Sequence, residues 1–278
     1  MIADFHFRVT FTSMRHKAPA SIQAGQPLTL TLYWHAQLQP QHDYVGFVHL
    51  RDTAGRVVVD QKGEPLNSTY ATSAWERDEI IEDVRGLRTE GLAPGLYQLE
   101  VGILSFWDMH SQAVQVGQQS LNDFQLKLGR LAVKPSQQPD VSALPAERRV
   151  NADLGERITL LGYDASWPSE VRALTVTLYW RATSEPDTDY TVFVHVLDPA
   201  GQIVGQHDGW PVEGRYPTSA WDQSEIVADT HTLDTSGLAS GAYRVAVGLY
   251  DLATLQRLPV TVDGRRVNED RIFGMVHE

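Results

Sequence analysis

The chain is an internal duplication, and this repeat limits its possible folds more than any other feature of the sequence. Residues 28–105 align without a gap on residues 174–251 at a constant offset of 146, and about 36 of the 78 aligned positions are identical. The match extends outward with small shifts, since ADFHFRVTF (3–11) corresponds to ADLGERITL (152–160). We therefore predict two complete copies of one domain.

The length and the distribution of prolines indicate where the domains divide. A chain of 278 residues exceeds one typical domain, and its 42% hydrophobic content suffices for two cores. Between the copies runs KPSQQPDVSALPAERR, whose prolines cannot donate to a strand ladder. We predict a first domain at 1–134, a linker at 135–146 and a second domain at 147–278.

Hydrophobic residues alternate with polar ones along the repeated segments, as in LTLTLYWHA (28–36) and LTVTLYWRA (174–182). A period of two is typical of a strand with one buried face. The pattern predicts about seven strands per copy, with TAGR and PAGQ as tight turns. In the first copy the predicted strands are 5–11, 28–36, 43–50, 56–60, 79–84, 96–104 and 124–133.

This number of short strands favours an all-β fold of two tandem immunoglobulin-like, fibronectin-type-like antiparallel β-sandwiches. The segment GLAPGLYQLEV, which ends in the strand around Tyr97, is similar to the tyrosine corner of such domains. We expect the tyrosine hydroxyl to donate a hydrogen bond back to nearby backbone.

Charge and composition exclude several functions. The formal net charge of −12 disfavours binding to nucleic acid and to anionic membrane surfaces. No stretch approaches the roughly 18 apolar residues of a membrane-spanning helix, so no direct membrane insertion is expected. The opening MIADFHFRV lacks a basic segment followed by an apolar block, so it contains no signal peptide pattern. Without cysteine, thiol nucleophiles, zinc–thiolate sites and disulfides are excluded.

The second copy carries three segments that suggest a family: YTVFVHVLDPAG, YPTSAWDQSEIVADTHTL and GAYRVAVGLYDLATLQRLP. It resembles the C-terminal extracytoplasmic β-sandwich modules attached to polytopic membrane glycosyltransferases of the dolichyl-phosphate-mannose type, especially in Chloroflexota-like bacteria. The first copy matches more weakly, because GLYD is replaced there by LSFWD. The resemblance implies an accessory module at the cell surface, with the transferase chemistry in an upstream membrane domain.

Aromatic residues in loops are the candidate ligand-binding residues. The segment Tyr-x-Thr-Ser-Ala-Trp occurs at 70–75 and at 216–221, and an aromatic loop of this kind can stack on a sugar ring. The alternative is a loop that closes one end of the sandwich, with its hydroxyls satisfying backbone groups. The tryptophans at 107, 167 and 210 have no tryptophan at the equivalent position of the other copy. Exposed loop tryptophans bind ligands, but they also cover their own domain. The candidates are Tyr70, Trp75, Trp107, Trp210, Tyr216 and Trp221.

Carboxylates four residues apart form a further repeated pattern, Glu79 with Asp83 and Glu225 with Asp229. On an extended strand this spacing spans about 13 Å, which is long for paired acid–base catalysis. We interpret them as solvated charges that discourage pairing at a sheet edge, and we predict no catalytic residue.

Histidines are the remaining chemical candidates. His49 and His195 occupy equivalent strand positions on the same face as Phe47 and Phe193, and we interpret them as hydrogen-bonded structural residues. Only the second copy combines several potential metal ligands, without the tight spacing of a metal motif. We predict no metal and no cofactor. The potential ligands are His195, His207, Asp208, Asp229 and His231.

These features together predict a non-catalytic extracytoplasmic module that spaces an attached enzyme or binds a neighbouring protein. Carbohydrate binding through exposed loop aromatics is the alternative, and a hydrolase of the glycosidase or esterase type is a third, less favoured function. The expected partners are therefore a glycan or a neighbouring protein.

Overall fold

The computed structural model describes residues 20–36, 39–107, 115–116, 119–120, 125–168, 172–239 and 241–277. Within these ranges the regular structure consists of β-strands and short 3₁₀ turns, without an α-helix. The all-β prediction is therefore confirmed. The strand predicted at 5–11 lies outside the described residues.

The chain divides into two compact units at Ser136–Gln137. Leu144, near the end of the predicted linker, belongs to the second unit, where Arg149 donates a hydrogen bond to its carbonyl oxygen at 2.9 Å. A Cβ atom on Gly162 would lie 2.9 Å from the Leu144 side chain, so this glycine leaves room for the leucine. The 3₁₀ turns lie at Pro65–Ser68, Thr72–Ala74, Val141–Ala143, Ala146–Arg148, Thr218–Ala220 and Asn268–Asp270.

The strands of the first unit are β1 Ser21–Gln23, β2 Leu28–Ala36, β3 Tyr44–Arg51, β4 Val57–Gly63, β5 Glu79–Leu87, β6 Gly95–Ser105, β7 Gln115–Val116, β8 Gln119–Ser120 and β9 Leu126–Lys134. They form a five-stranded sheet in the order β1-β9-β6-β3-β4, a two-stranded sheet β2-β5 and the short pair β7-β8. Strand β1 runs parallel to β9, and the other pairs are antiparallel.

The strands of the second unit are β10 Arg149–Leu154, β11 Ile158–Ser166, β12 Ala173–Ala182, β13 Tyr190–Leu197, β14 Ile203–Gly209, β15 Ile226–Asp234, β16 Ala242–Asp251, β17 Val260–Val262, β18 Arg265–Arg266 and β19 Ile272–His277. They form a six-stranded sheet in the order β15-β12-β11-β10-β17-β18 and a four-stranded sheet β14-β13-β16-β19. The pairings of these strands are antiparallel.

The two units repeat the same strand register. Trp34 of β2 pairs with Ile81 of β5, and Trp180 of β12 pairs with Val227 of β15, so both pairs keep the offset of the sequence repeat. Both tryptophans are buried. Equivalent residues therefore occupy equivalent positions, as the duplication predicts.

Period-two alternation explains the core of each unit. Every second residue of β2, beginning at Leu28, is buried, while the residues between them are exposed or half-buried. In the first unit these side chains share one hydrophobic cluster with Leu99, Val101 and Leu131 of the five-stranded sheet. The two sheets therefore bury their apolar faces in a common core, which is the main stabilising contribution in a domain of this size.

Local turn chemistry also agrees with the sequence predictions. Gly55 and Gly201 adopt φ values of 80° and 81°, which glycine tolerates best, in the turns formed by TAGR and PAGQ. The hydroxyl groups of Tyr97 and Tyr243 donate to the carbonyl oxygens of residues 93 and 239 at 2.7 and 2.8 Å. The expected hydrogen bond from the tyrosine to nearby backbone is thus confirmed in both copies.

Candidate functional site

The six aromatic candidates fall into two groups by their exposure. Trp75, Tyr216 and Trp221 are buried, and Tyr70 is half-buried. Trp107 is 78% exposed and Trp210 is 36% exposed. Only the second group offers a ring face to a ligand.

The Tyr-x-Thr-Ser-Ala-Trp segments bind the backbone of their own unit. The Thr72 hydroxyl accepts a hydrogen bond from the backbone N–H of Tyr44 at 2.8 Å, and Thr218 accepts the equivalent bond from Tyr190 at 2.9 Å. The backbone N–H of Ser73 donates to the Asp43 carboxylate at 3.0 Å and lowers the pKa of that aspartate. These contacts favour the interpretation of the segment as a loop that closes the end of the domain.

The tyrosine and tryptophan of each segment are also bonded internally. The Tyr216 hydroxyl donates to the Glu225 carboxylate at 2.5 Å, and burial together with this carboxylate raises the pKa of Tyr216. The indole N–H of Trp221 donates to the carbonyl oxygen of Tyr216 at 3.1 Å. Tyr70 makes the same kind of bond to Glu79 at 3.1 Å. Glu79 and Glu225 therefore have a role in holding this loop.

The interpretation of Asp83 and Asp229 as solvated edge charges is wrong. Asp83 is 1% exposed and Asp229 is fully buried, because both lie at inward positions of the alternating strands β5 and β15. Glu225 is also buried, at 6% exposure. Burial of a carboxylate is costly unless hydrogen bonds and an opposite charge compensate it, so the partners of these groups are decisive.

In the first unit a guanidinium compensates the buried carboxylate. Arg85 donates through Nε to Asp83 at 2.7 Å, and the Trp34 indole donates to the same carboxylate at 3.0 Å. The other Arg85 nitrogens donate to the carbonyl oxygens of Gly46 and Gly63, each at 3.0 Å. A Cβ atom on Gly46 would lie 2.6 Å from the guanidinium, so a larger residue here would displace Arg85 from this position.

In the second unit two histidines replace this arrangement. His231, at the position of Arg85, has Nε2 2.7 Å from the Asp229 carboxylate. Its Nδ1 lies 2.8 Å from Nδ1 of His207, which stands at the position of Gln61. Valine occupies position 192, where the first unit has Gly46.

Each buried aspartate also holds a left-handed turn. The backbone N–H of Leu66, at φ 54°, donates to Asp83 at 3.0 Å, and that of Val212, at φ 57°, donates to Asp229 at 2.7 Å. A non-glycine residue in this conformation costs about 1–2 kcal/mol. The hydrogen bonds to the carboxylates offset part of that cost, so a structural role accounts for the recurrence of the aspartate in both copies.

The histidines at equivalent positions, His49 and His195, each lie beside a carboxylate of the neighbouring strand and the phenylalanine of their own strand. His49 Nε2 is 3.1 Å from Asp60, and His195 Nε2 is 3.4 Å from Asp208. His195 packs against Phe193, with ring centroids 4.9 Å apart. Burial, aided by the nearby positive charges of the arginines at 257 and 271, lowers the pKa of His195 although Asp208 opposes the shift.

The potential metal ligands of the second copy do not converge on one point. His195 and Asp208 form one pair, whereas His207, His231 and Asp229 form a separate hydrogen-bonded chain. Among the residues that the structure describes, no group of three or more histidine or carboxylate side chains is arranged to hold a metal ion.

The unmatched tryptophans have different surroundings. Trp167 is buried and packs on Tyr243, with ring centroids 5.2 Å apart, so it covers its own domain. Trp107 follows the end of β6 and lies edge-on to Phe106, which is 48% exposed, with centroids 6.2 Å apart. Phe106 and Trp107 form the most exposed aromatic pair of the described chain.

Sequence reasoning missed the two buried networks. The available signal was the phase of the alternation: Asp83 and Arg85 share their strand face with the apolar residues Ile81 and Leu87. Parity therefore placed both charges inside, and the sequence could have indicated an internal ion pair. The contacts of Gln61 with Gly86 and of His207 with His231 depend on the packing of a second sheet and have no signal in the sequence.

The class that these observations define is a duplicated all-β protein with buried polar networks that are specific to each copy. A comparison with family models and with curated protein sequences finds no match to the chain. Among the described residues, no helix is long and apolar enough to span a membrane.

Proposed function

We propose that the chain consists of two tandem immunoglobulin-like, fibronectin-type-like antiparallel β-sandwiches that form a non-catalytic extracytoplasmic interaction or spacer module. In the second unit, the neighbours β11-β12-β15 lie in one sheet and β14-β13-β16-β19 in the other. This order supports the proposed fold, because an immunoglobulin-like sandwich also divides its successive antiparallel strands between two sheets.

The functional proposal rests on the contacts of the polar residues that recur in both copies. Asp83 and Asp229 each bind a backbone N–H and a neighbouring cationic or imidazole side chain inside their own unit. A hydrolase would need such carboxylates to converge on a substrate in a cleft. Residues shared by both copies therefore serve the fold, which favours an accessory or spacer role.

Location at the cell surface follows only from the family resemblance, and it has a direct test. In the native host, a chain tagged at its C-terminus should be cleaved when protease is added to intact cells, while a cytoplasmic marker survives. Cleavage only after cell lysis would contradict the proposal.

Carbohydrate binding is the second candidate function, and the exposed pair Phe106 and Trp107 is the observation that favours it. Exposed aromatic rings provide apolar faces with little conformational entropy to lose on binding. The module proposal predicts that the purified chain gives no signal on a glycan array. A signal that disappears in Trp107→Ala, with unchanged thermal unfolding, would instead establish glycan binding; Trp75→Phe is the matched control at a buried ring.

A further inference from the structure

We propose that the chain Asp229–His231–His207 is an acid-sensitive contact that closes the edge of the second unit at neutral pH and opens when both imidazoles are protonated. Strand β14 is the end strand of one sheet, and β15 is the end strand of the other. His207 lies on β14 and His231 lies on β15, so their contact joins the two sheets at this edge.

The distances restrict the number of protons that the pair can hold. The two Nδ1 atoms are 2.8 Å apart, which is a hydrogen-bond distance and requires one proton between them. His231 Nε2 lies 2.7 Å from the Asp229 carboxylate. An ionised carboxylate can only accept a hydrogen bond, so the proton of this contact belongs to Nε2 of His231. The contact therefore exists with one imidazole neutral, and it cannot exist when both Nδ1 atoms carry a proton.

Burial determines which ring moves. His231 is 2% exposed and bonded to a fully buried carboxylate, whereas His207 is exposed on an edge strand. A second positive charge is accommodated at least cost by rotation of His207 into water. Among the described residues, the Trp180 indole N–H has no hydrogen-bond partner, although its counterpart Trp34 donates to Asp83. The second copy thus has fewer bonds to hold its carboxylate than the first.

The other charged groups around the pair are engaged elsewhere. On β14, Asp208 points to the opposite face and pairs with His195 of β13 at 3.4 Å. In the turn after β14, Glu213 and Arg215 pair with each other at 3.5 Å. Asp229 is the one charged partner that the described structure shows in contact with the histidine pair.

The first unit provides an internal control, because its equivalent edge is closed without a histidine. Gln61 of β4 donates to the carbonyl oxygen of Gly86 at 2.9 Å, and Arg85 donates to Gly63 at 3.0 Å. Neither an amide nor a guanidinium titrates between pH 5 and 8. Acid sensitivity at this position is therefore a property of the second copy alone.

Hydrogen–deuterium exchange of the full chain between pH 7.5 and 5.5 tests the proposal. If opening takes up one proton, the exchange of β14 amides, after correction for the intrinsic rate, rises as the pH falls by up to about tenfold per pH unit. The β4 amides should show no such rise.

The decisive variant is His207→Gln, which introduces the residue of the first copy and retains His195. We expect it to lower the acid-induced rise in β14 to the level of the rise in β16, which reports the stability of the second domain as a whole. A rise in β14 that stays above that of β16 in His207→Gln would assign the effect to the His195–Asp208 pair and overturn the proposal. Equal responses of β4 and β14 in the unmodified chain would overturn it as well.

Discussion

Replacement of Arg85 by methionine is expected to destabilise the first domain by about 3–5 kcal/mol. Methionine keeps much of the apolar stem but removes the positive charge from Asp83, which is 1% exposed. Breaking a buried ion pair by removal of one partner costs about this much, because the remaining charge is uncompensated. The carbonyl oxygens of Gly46 and Gly63 lose their donor too, and this places the loss toward the upper end of the range.

Differential scanning calorimetry measures this loss, since the second domain provides an unchanged transition in the same molecule. A loss of this size lowers the midpoint temperature of the first domain's transition by about 10 °C or more. The double variant Asp83→Asn with Arg85→Met removes both charges and should recover at least half of the stability. A loss below about 1 kcal/mol, or no recovery in the double variant, would refute the reasoning.

Four further substitutions have defined expectations. Tyr97→Phe and Tyr243→Phe should each lower the free energy of unfolding of their own domain by about 1 kcal/mol in urea denaturation, because each loses one hydroxyl hydrogen bond. An unchanged midpoint would show that the bond is not stabilising. Burial lowers the pKa of His195, so the unfolded chain binds a proton at higher pH than the native chain. Stability of the second domain is therefore expected to fall as pH drops below about 6.5, and His195→Gln should flatten this dependence in calorimetric scans; an identical slope would contradict the prediction. Trp107→Ala should change stability by less than about 0.5 kcal/mol, because the ring is 78% exposed, and a larger loss would mean that the ring packs on the domain.

The strands were predictable because each depends on local alternation. The predicted strand at 28–36 coincides with β2, and the predictions at 43–50 and 79–84 differ from β3 and β5 by at most a few residues at their ends. The tyrosine hydrogen bonds and the glycine turns were equally predictable, since they form within a few residues. The buried networks were not predictable in full, because the second sheet brings Gly46 to Arg85 and His207 to His231.

The sequence alone determined that the chain is duplicated and all-β, and which strand positions face inward, because these properties follow from a constant offset and a period of two. The tertiary structure decided how each copy neutralises its buried aspartate. Arg85 of β5 donates to Asp83 on its own strand and to Gly46 of the other sheet, whereas His231 contacts His207 because the end strands of two different sheets meet. Asp83 and Arg85 share one strand, but the groups that complete the two networks lie 39 residues away at Gly46 and 24 residues away at His207, and a local sequence pattern contains no measure of such contacts.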